Sequence, residues 1–185
     1  MPDSDAPPAA AQAAAFCELL RRHSQAMHAY LARRGGRDAA DDLLGDVLLR
    51  AYAARLRYDE RWPDPRPWLY GIARNVLREH WRRAGQGEMM PARLAVAEDP
   101  WPDVDSRLDA ATRLPDLRRA LSQLAEGDRE VLLLVTWEAL SPAEAALALG
   151  IPAGTARSRL HRARAVMRQL LSGAQDGQPT SYQEA

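Results

Sequence analysis

Lysine is absent from this chain, so all 25 of its basic side chains are arginine. Arginine adds bidentate and stacking contacts to phosphates and bases, although a codon bias across a genome would leave the same trace. Cysteine occurs once, at Cys17, which excludes an internal disulfide framework and any cysteine-built metal site within one chain. The four histidines (His23, His28, His80, His161) do not cluster with cysteine or acids at ligand spacing, so no metal and no cofactor is expected. Aromatics make up 6% and phenylalanine occurs once. No apolar run is long enough to span a bilayer and no secretory leader is visible, which makes the cytoplasm the expected location and membrane insertion unexpected. A Gly-rich phosphate loop and a nucleophile–base constellation are also missing, which argues against an enzyme.

What remains is alanine, leucine and arginine in a chain of 185 residues with 46% hydrophobic content. Alanine and leucine favour helix and β-branched residues are scarce, so the expected class is all-α. The length suits one ordinary domain or two small ones. The formal charge of +0 hides an uneven distribution. From Ala153 to Leu171 the charged residues are Arg157, Arg159, Arg162, Arg164 and Arg168, with no acid. From Ala84 to Arg113 six acids face Arg93, Arg107 and Arg113. Local sign, rather than the total, governs binding and steering.

Periodicity and breakers divide the chain. Residues 1–15 are rich in Pro, Ala and Asp and read as a disordered N-terminus. A helical domain is expected over residues 16–83. Phe16 to Arg34 carries apolar residues at helical spacing and Gly35-Gly36 ends it. Asp38 is placed to cap a helix that runs to about Arg57. Three prolines between Pro63 and Pro67 then interrupt, and a further helix runs to Arg83. Residues 84–113 form a flexible acidic linker. Residues 114–171 hold four helices, and residues 172–185 read as a disordered tail.

Three segments carry functional expectations. Ser141-Pro142 with Glu144 opens a short capped helix, Gly150 closes it and Pro152 opens the next, giving a helix-turn-helix. At about 100° per residue, Ala156, Leu160, Ala163 and Met167 fall on one arc of the second helix. Arg157, Ser158, His161, Arg162, Arg164 and Arg168 fall on the other. A charged face is usually only solvated, but this one contains no acid to pair with at i,i+4, which favours DNA. Arg159 lies near the apolar edge, within reach of either a phosphate or an acid on a neighbouring helix.

On the helix after Pro67, a buried stripe of Leu69, Ile72, Ala73, Val76 and Leu77 leaves Tyr70, Arg74, Asn75, Arg78, Trp81 and Arg82 opposite. Aromatics among arginines suit a single strand, with rings on bases and guanidinium groups on phosphates. The preceding loop adds Tyr58, Arg61, Trp62 and Arg66. Trp68 reads as a core anchor, while Trp62 and Trp81 are open between core and base stacking. On the Asp38–Arg57 helix, an outward Leu49 beside Asp42, Gly45 and Asp46 forms a small candidate docking patch.

Taken together, Asp38-Ala-Ala-Asp-Asp-Leu-Leu-Gly-Asp-Val-Leu-Leu-Arg-Ala-Tyr52, Trp68-Leu-Tyr-Gly-Ile-Ala-Arg-Asn75 and Gly154-Thr-Ala-Arg-Ser-Arg-Leu-His-Arg-Ala-Arg164 resemble an extracytoplasmic-function (ECF) sigma factor of the bacterial sigma-70 family. The resemblance covers about Phe16 to Leu171. It implies a non-enzymatic factor that binds core RNA polymerase and directs initiation at promoters with −10 and −35 elements. Asp42, Leu43, Leu44, Gly45, Asp46 and Leu49 would then touch polymerase. Tyr58, Arg61, Trp62, Arg66, Tyr70, Arg74, Asn75 and Arg78 would contact melted −10 DNA. Thr155, Arg157, Ser158, Arg159, His161 and Arg162 would contact −35 duplex. It also implies that an anti-sigma factor is a plausible partner and that the acidic linker threads the polymerase channel. Gly45 departs from the glutamine usual in the docking segment, and Ala145-Ala146 from the usual Ile-Ala. The alternative is a stand-alone LuxR-like helix-turn-helix regulator, which has no use for a basic-aromatic face on the helix after Pro67.

Overall fold

The computed structural model describes residues 9–58, 64–85 and 115–175. Among them there are helices and turns but no strand, in agreement with the all-α expectation. The chain divides into two compact units, Met1–Ala95 and Val96–Ala185. The expected acidic linker lies almost wholly outside the described residues, as does the C-terminal tail beyond Gln175.

The first unit contains α1 (Ala9–Gly35), α2 (Arg37–Ala53), a 3-10 turn (Arg55–Arg57) and α3 (Arg66–Arg83). Each of the three helices packs against the other two. Helix α1 starts well before Phe16, because the alanines from Ala9 onward have the highest helix propensity of any residue. That takes part of the expected disordered N-terminus into the helix. Gly36 alone joins α1 to α2, with φ 94°, a left-handed conformation that glycine adopts without strain. Helix α2 therefore begins at Arg37, and Asp38 sits inside its first turn rather than capping it. Where the three helices meet, Gly35 has no room for a side chain. A Cβ there would lie 2.6 Å from Leu43 Cδ1 and 3.1 Å from Leu77 Cδ2. The core around this point includes Met27, Leu31, Val47, Leu69 and Val76, each at most 1% exposed.

Of two aromatic side chains on α3, Tyr70 differs from expectation and Trp81, open between core and surface, is core. Tyr70 is 2% exposed and Trp81 6%, and the Tyr70 ring lies 5.0 Å from that of Tyr30 on α1. Tyr70, Leu77 and Trp81 fall within about 40° of one another at 100° per residue. The buried arc, which has to meet both α1 and α2, is centred between the aliphatic stripe and these aromatics, and Ile72 is left only half-buried.

The second unit contains α4 (115–123), α5 (Glu126–Thr136), α6 (Pro142–Leu149) and α7 (Ala153–Gln175). The expected helix-turn-helix is present at α6–α7. Ser141 Oγ accepts from the Glu144 N–H at 3.2 Å and Glu144 Oε2 accepts from the Ser141 N–H at 2.7 Å, a complete capping box. Gly150, at φ 65°, ψ 36°, ends α6 in the left-handed region. The Ile151 N–H donates to Ala146 O and the Gly150 N–H to Leu147 O, which satisfies the last carbonyls of the helix. Ala145, Ala146, Ala156 and Ala163 are each at most 2% exposed. Ala145, which stands where the resemblance gives isoleucine, thus sits with the other three in the α6–α7 core, where small side chains suit close packing of the two helices.

Ser141→Ala removes the cap of an eight-residue helix. It is expected to lower the stability of the second unit by about 1 kcal/mol, read as a shift of its urea midpoint with the slope unchanged.

Candidate nucleic-acid and polymerase interfaces

In the second unit, the flank of α7 decides which arginines are available. About Ala156, Leu160, Ala163 and Met167 as the buried arc, Arg159 and Arg162 lie to one side at about 100° per residue. That side is turned to α5. The other side and the outward face carry Arg157, Ser158, His161 and Arg164, all exposed. Thr155 is half-buried.

Arg162 Nε donates to Asp128 Oδ2 at 2.6 Å and Nη2 donates to Oδ1 at 2.7 Å, a side-on bidentate pair between α7 and the first turn of α5. The Asp128 side chain is 6% exposed and that of Arg162 60%. The hydrogen bonds from Arg162 hold the Asp128 carboxyl below the usual carboxylate range against the opposing effect of burial. The same bonds raise Arg162. The arginine face has no acid of its own to pair with at i,i+4. The acid is 34 residues away along the chain, beyond any i,i+4 rule. Arg159, left open by the sequence, lies over Gly127. A Cβ on Gly127 would be 2.7 Å from Arg159 Nη1 and 2.9 Å from Cζ, so the glycine leaves space for the guanidinium.

In the first unit, Arg50 on α2 makes a second fork, to Glu79 on α3 at 2.9 and 2.6 Å. Glu79 also accepts from Arg83 at 3.3 Å, and these contacts, Arg50 first, lower its pKa. The fork edges an open groove of about 550 Å³ lined by Ile72, Asn75, Arg78 and Arg82. Asn75 is exposed, while Arg74 and Arg78 are half-buried and engaged in interactions of their own. Arg66 is held by Asp64, Nε to Oδ2, at 2.7 Å. Tyr58 packs on Trp68 at 5.2 Å and both rings meet Phe16 at 6.1 Å. Trp68, expected as a core anchor, is half-buried and packs with Tyr58 against Phe16 at the edge of the core. Arg61 and Trp62 belong to that segment and lie outside the described residues. Tyr70, buried against Tyr30, is not on the surface with Asn75.

The candidate docking residues on α2 separate by exposure. Asp42 is exposed, Leu44, Gly45 and Asp46 are half-buried, and Leu43 is core at 5%. Leu49 is 71% exposed, and Tyr52 at 37% and Leu56 at 88% extend its apolar stripe into the 3-10 turn. Leu56 escaped sequence reading because a helical period does not carry through a 3-10 turn. The second unit also has an apolar crevice of about 560 Å³ lined by Leu117, Leu121, Leu132, Trp137, Met167 and Leu171, which the sequence did not reveal. No group of metal-ligating side chains occurs among the described residues, and none of their helices is long and apolar enough to cross a membrane.

Comparison with known proteins matches residues 19–86 to the Sigma-70 region 2 family and residues 114–167 to the Sigma-70, region 4 family. The chain is 35% identical over 161 residues to the ECF RNA polymerase sigma factor SigM of Mycobacterium tuberculosis, covering 85% of this chain and 77% of that protein. It is 31% identical over 172 residues to the RNA polymerase sigma factor NccH of Alcaligenes xylosoxydans xylosoxydans, covering 87% and 89%. Among solved structures it is similar to CnrH in complex with the cytosolic domain of CnrY. That match has a TM-score of 0.60 and 28% identity, covering 89% of this chain and 94% of that one. The sigma factor RpoE in complex with the anti-sigma factor NepR from Bartonella quintana matches with a TM-score of 0.60 and 25% identity, covering 85% and 96%.

The Asp128 pair sets a pH dependence. Its carboxyl is depressed in the folded chain, so its stabilisation is complete above the ordinary carboxylate pKa of about 4 and is lost as pH falls through the folded value. Acid titration of the second unit followed by circular dichroism is expected to show this loss, and Asp128→Asn to flatten it.

Proposed function

The chain belongs to the ECF sigma factors of the sigma-70 family, and we propose on that premise that it binds core RNA polymerase and directs it to promoters with −10 and −35 elements. The observation that carries this reading is the order of the two family matches. Region 2 falls on the first helical unit and region 4 on the second, within one chain. A stand-alone regulator needs only the second. Phosphodiester formation is left to the polymerase, and the chain contributes recognition and strand separation.

Polymerase docking is assigned to Asp42, Leu49 and the half-buried Asp46 of the α2 segment, supported by the exposure of Asp42 and Leu49 and by the apolar stripe that Leu49 heads. Leu43 acts from beneath, as core. Melted −10 DNA is assigned to the groove edged by Arg50 and Glu79, with Asn75 at its surface and Arg74 and Arg78 beside it. Arg50, Arg78 and Arg82 against the single acid Glu79 give the groove the sign a strand requires. Tyr58 and Arg66 flank the loop that contains Arg61 and Trp62, and all four belong to the same strand-binding role. Tyr70 supports this surface from the core. The −35 duplex is assigned to the outward face of α7, with Arg157, Ser158 and His161 free to enter a major groove and Thr155 and Arg159 at its rim. An anti-sigma factor is a fitting partner, because the similar solved chain RpoE is bound to the anti-sigma factor NepR.

Two outcomes test the assignment. Leu49→Asp is expected to weaken binding to core polymerase by about 1–3 kcal/mol without changing thermal stability, since the side chain is mostly in solvent. Competition between labelled wild-type and variant chains for core enzyme measures the first, and a melt measures the second. Arg157→Ala is expected to lose about 1–3 kcal/mol on −35 duplex while core binding stays unchanged. Equal affinities for duplex would move the reading face elsewhere on α7.

A further inference from the structure

Asp128 has a role that neither the family match nor the arginine pattern assigns. Its carboxylate is anchored on the first turn of α5, where the helix N-terminus favours an anion. Helix α5 is itself fixed by Val131, Leu132, Leu133 and Leu134, all buried. Both carboxylate oxygens are taken by the Nε and Nη2 hydrogens on one side of the Arg162 guanidinium. A pair whose arginine is 60% exposed adds little to stability; its effect is on direction. With the side-on edge held, the end-on edge, formed by Nη1 and the second Nη2 hydrogen, is left with two parallel donors. Arg162 lies beside Ser158 and His161 on the boundary between the α5 flank and the outward face. One turn earlier, Arg159 lies over Gly127 and packs against the same turn of α5.

We propose that Asp128 is a positioning residue for duplex reading: by gripping Arg162 from the side, it presents the end-on edge of the guanidinium to a guanine in the major groove. Guanine offers two acceptors, O6 and N7, at the spacing such an edge matches. A free arginine would have to be ordered on contact, whereas this one is ordered beforehand. The proposal rests on the assignment of α7 to the promoter duplex.

The test uses holoenzyme assembled from core RNA polymerase and the full chain. It is presented with promoter duplexes randomised across the upstream element, and base preferences are read from the bound fraction. Wild type is expected to prefer guanine at one position, and Arg162→Ala to lose that preference. Asp128→Asn is expected to reduce the same preference on the order of tenfold and leave the other positions unchanged. The double variant should match Arg162→Ala alone, since the two residues act as one unit. Uniformly weaker binding of Asp128→Asn to every sequence, an unchanged profile or tighter binding would each overturn the proposal. If wild type itself selects no upstream element, the duplex assignment fails and the proposal with it. If wild type selects an element and Asp128→Asn selects it equally well, the proposal alone fails. A measurement without variants guards against misfolding. The Arg162 Nε–H resonance of the 15N-labelled wild-type chain should stay protected when the selected duplex is added, while the Nη1 resonances shift. Loss of Nε–H protection would mean that the pair opens on DNA, contrary to the proposal.

Discussion

In each unit a bidentate arginine–carboxylate fork crosses from one helix to another, and what each unit can offer to a partner depends on it. Arg50–Glu79 joins α2 to α3, and Arg162–Asp128 joins α7 to α5. Neither is a large source of stability. With side chains 38% and 33% exposed in one pair and 60% and 6% in the other, each contributes little to stability. The apolar interiors hold the units together. The forks fix which donors of an arginine are spent inside the protein and which remain for a nucleic acid. A chain without lysine is suited to this, because the planar guanidinium can be bound on one edge and still donate from another, whereas an ammonium has no second edge.

The interiors explain why the forks can be set accurately. Gly35 lies against Leu43 and Leu77, so α1, α2 and α3 approach closely at their junction. In the second unit, Ala145, Ala146, Ala156 and Ala163 bring α6 and α7 close, while the capping box at Ser141 and the left-handed Gly150 define where α6 begins and ends. The angle between the two helices of a helix-turn-helix decides whether the second can enter a groove. Here Gly150 makes the turn between them and the buried alanines pack them together.

Much of this was legible in the sequence, for local reasons. The caps of α6, the arc of α7 and the exposure of Leu49 all follow from neighbours within a turn or two. What was not legible involved residues distant along the chain. Asp128 meets Arg162 only because α5 and α7 pack together, and Arg159 lies over Gly127 for the same reason. Tyr70 and Trp81 turn inward because α3 must satisfy two partners, which rotates its buried arc away from the aliphatic stripe. Helix α1 extends to Ala9 because a run of alanines is helical even where it has no apolar period to reveal it. The candidate strand-reading face accordingly shifts from aromatics on α3 to the polar groove around Asn75.

Both units serve one act, promoter-specific initiation. Run-off transcription from a pool of bacterial promoter fragments, with core RNA polymerase alone and with the full chain added, tests it most directly. Start sites that appear only with the chain and share two upstream elements at a fixed spacing are expected. Start sites that are the same with and without the chain would contradict it.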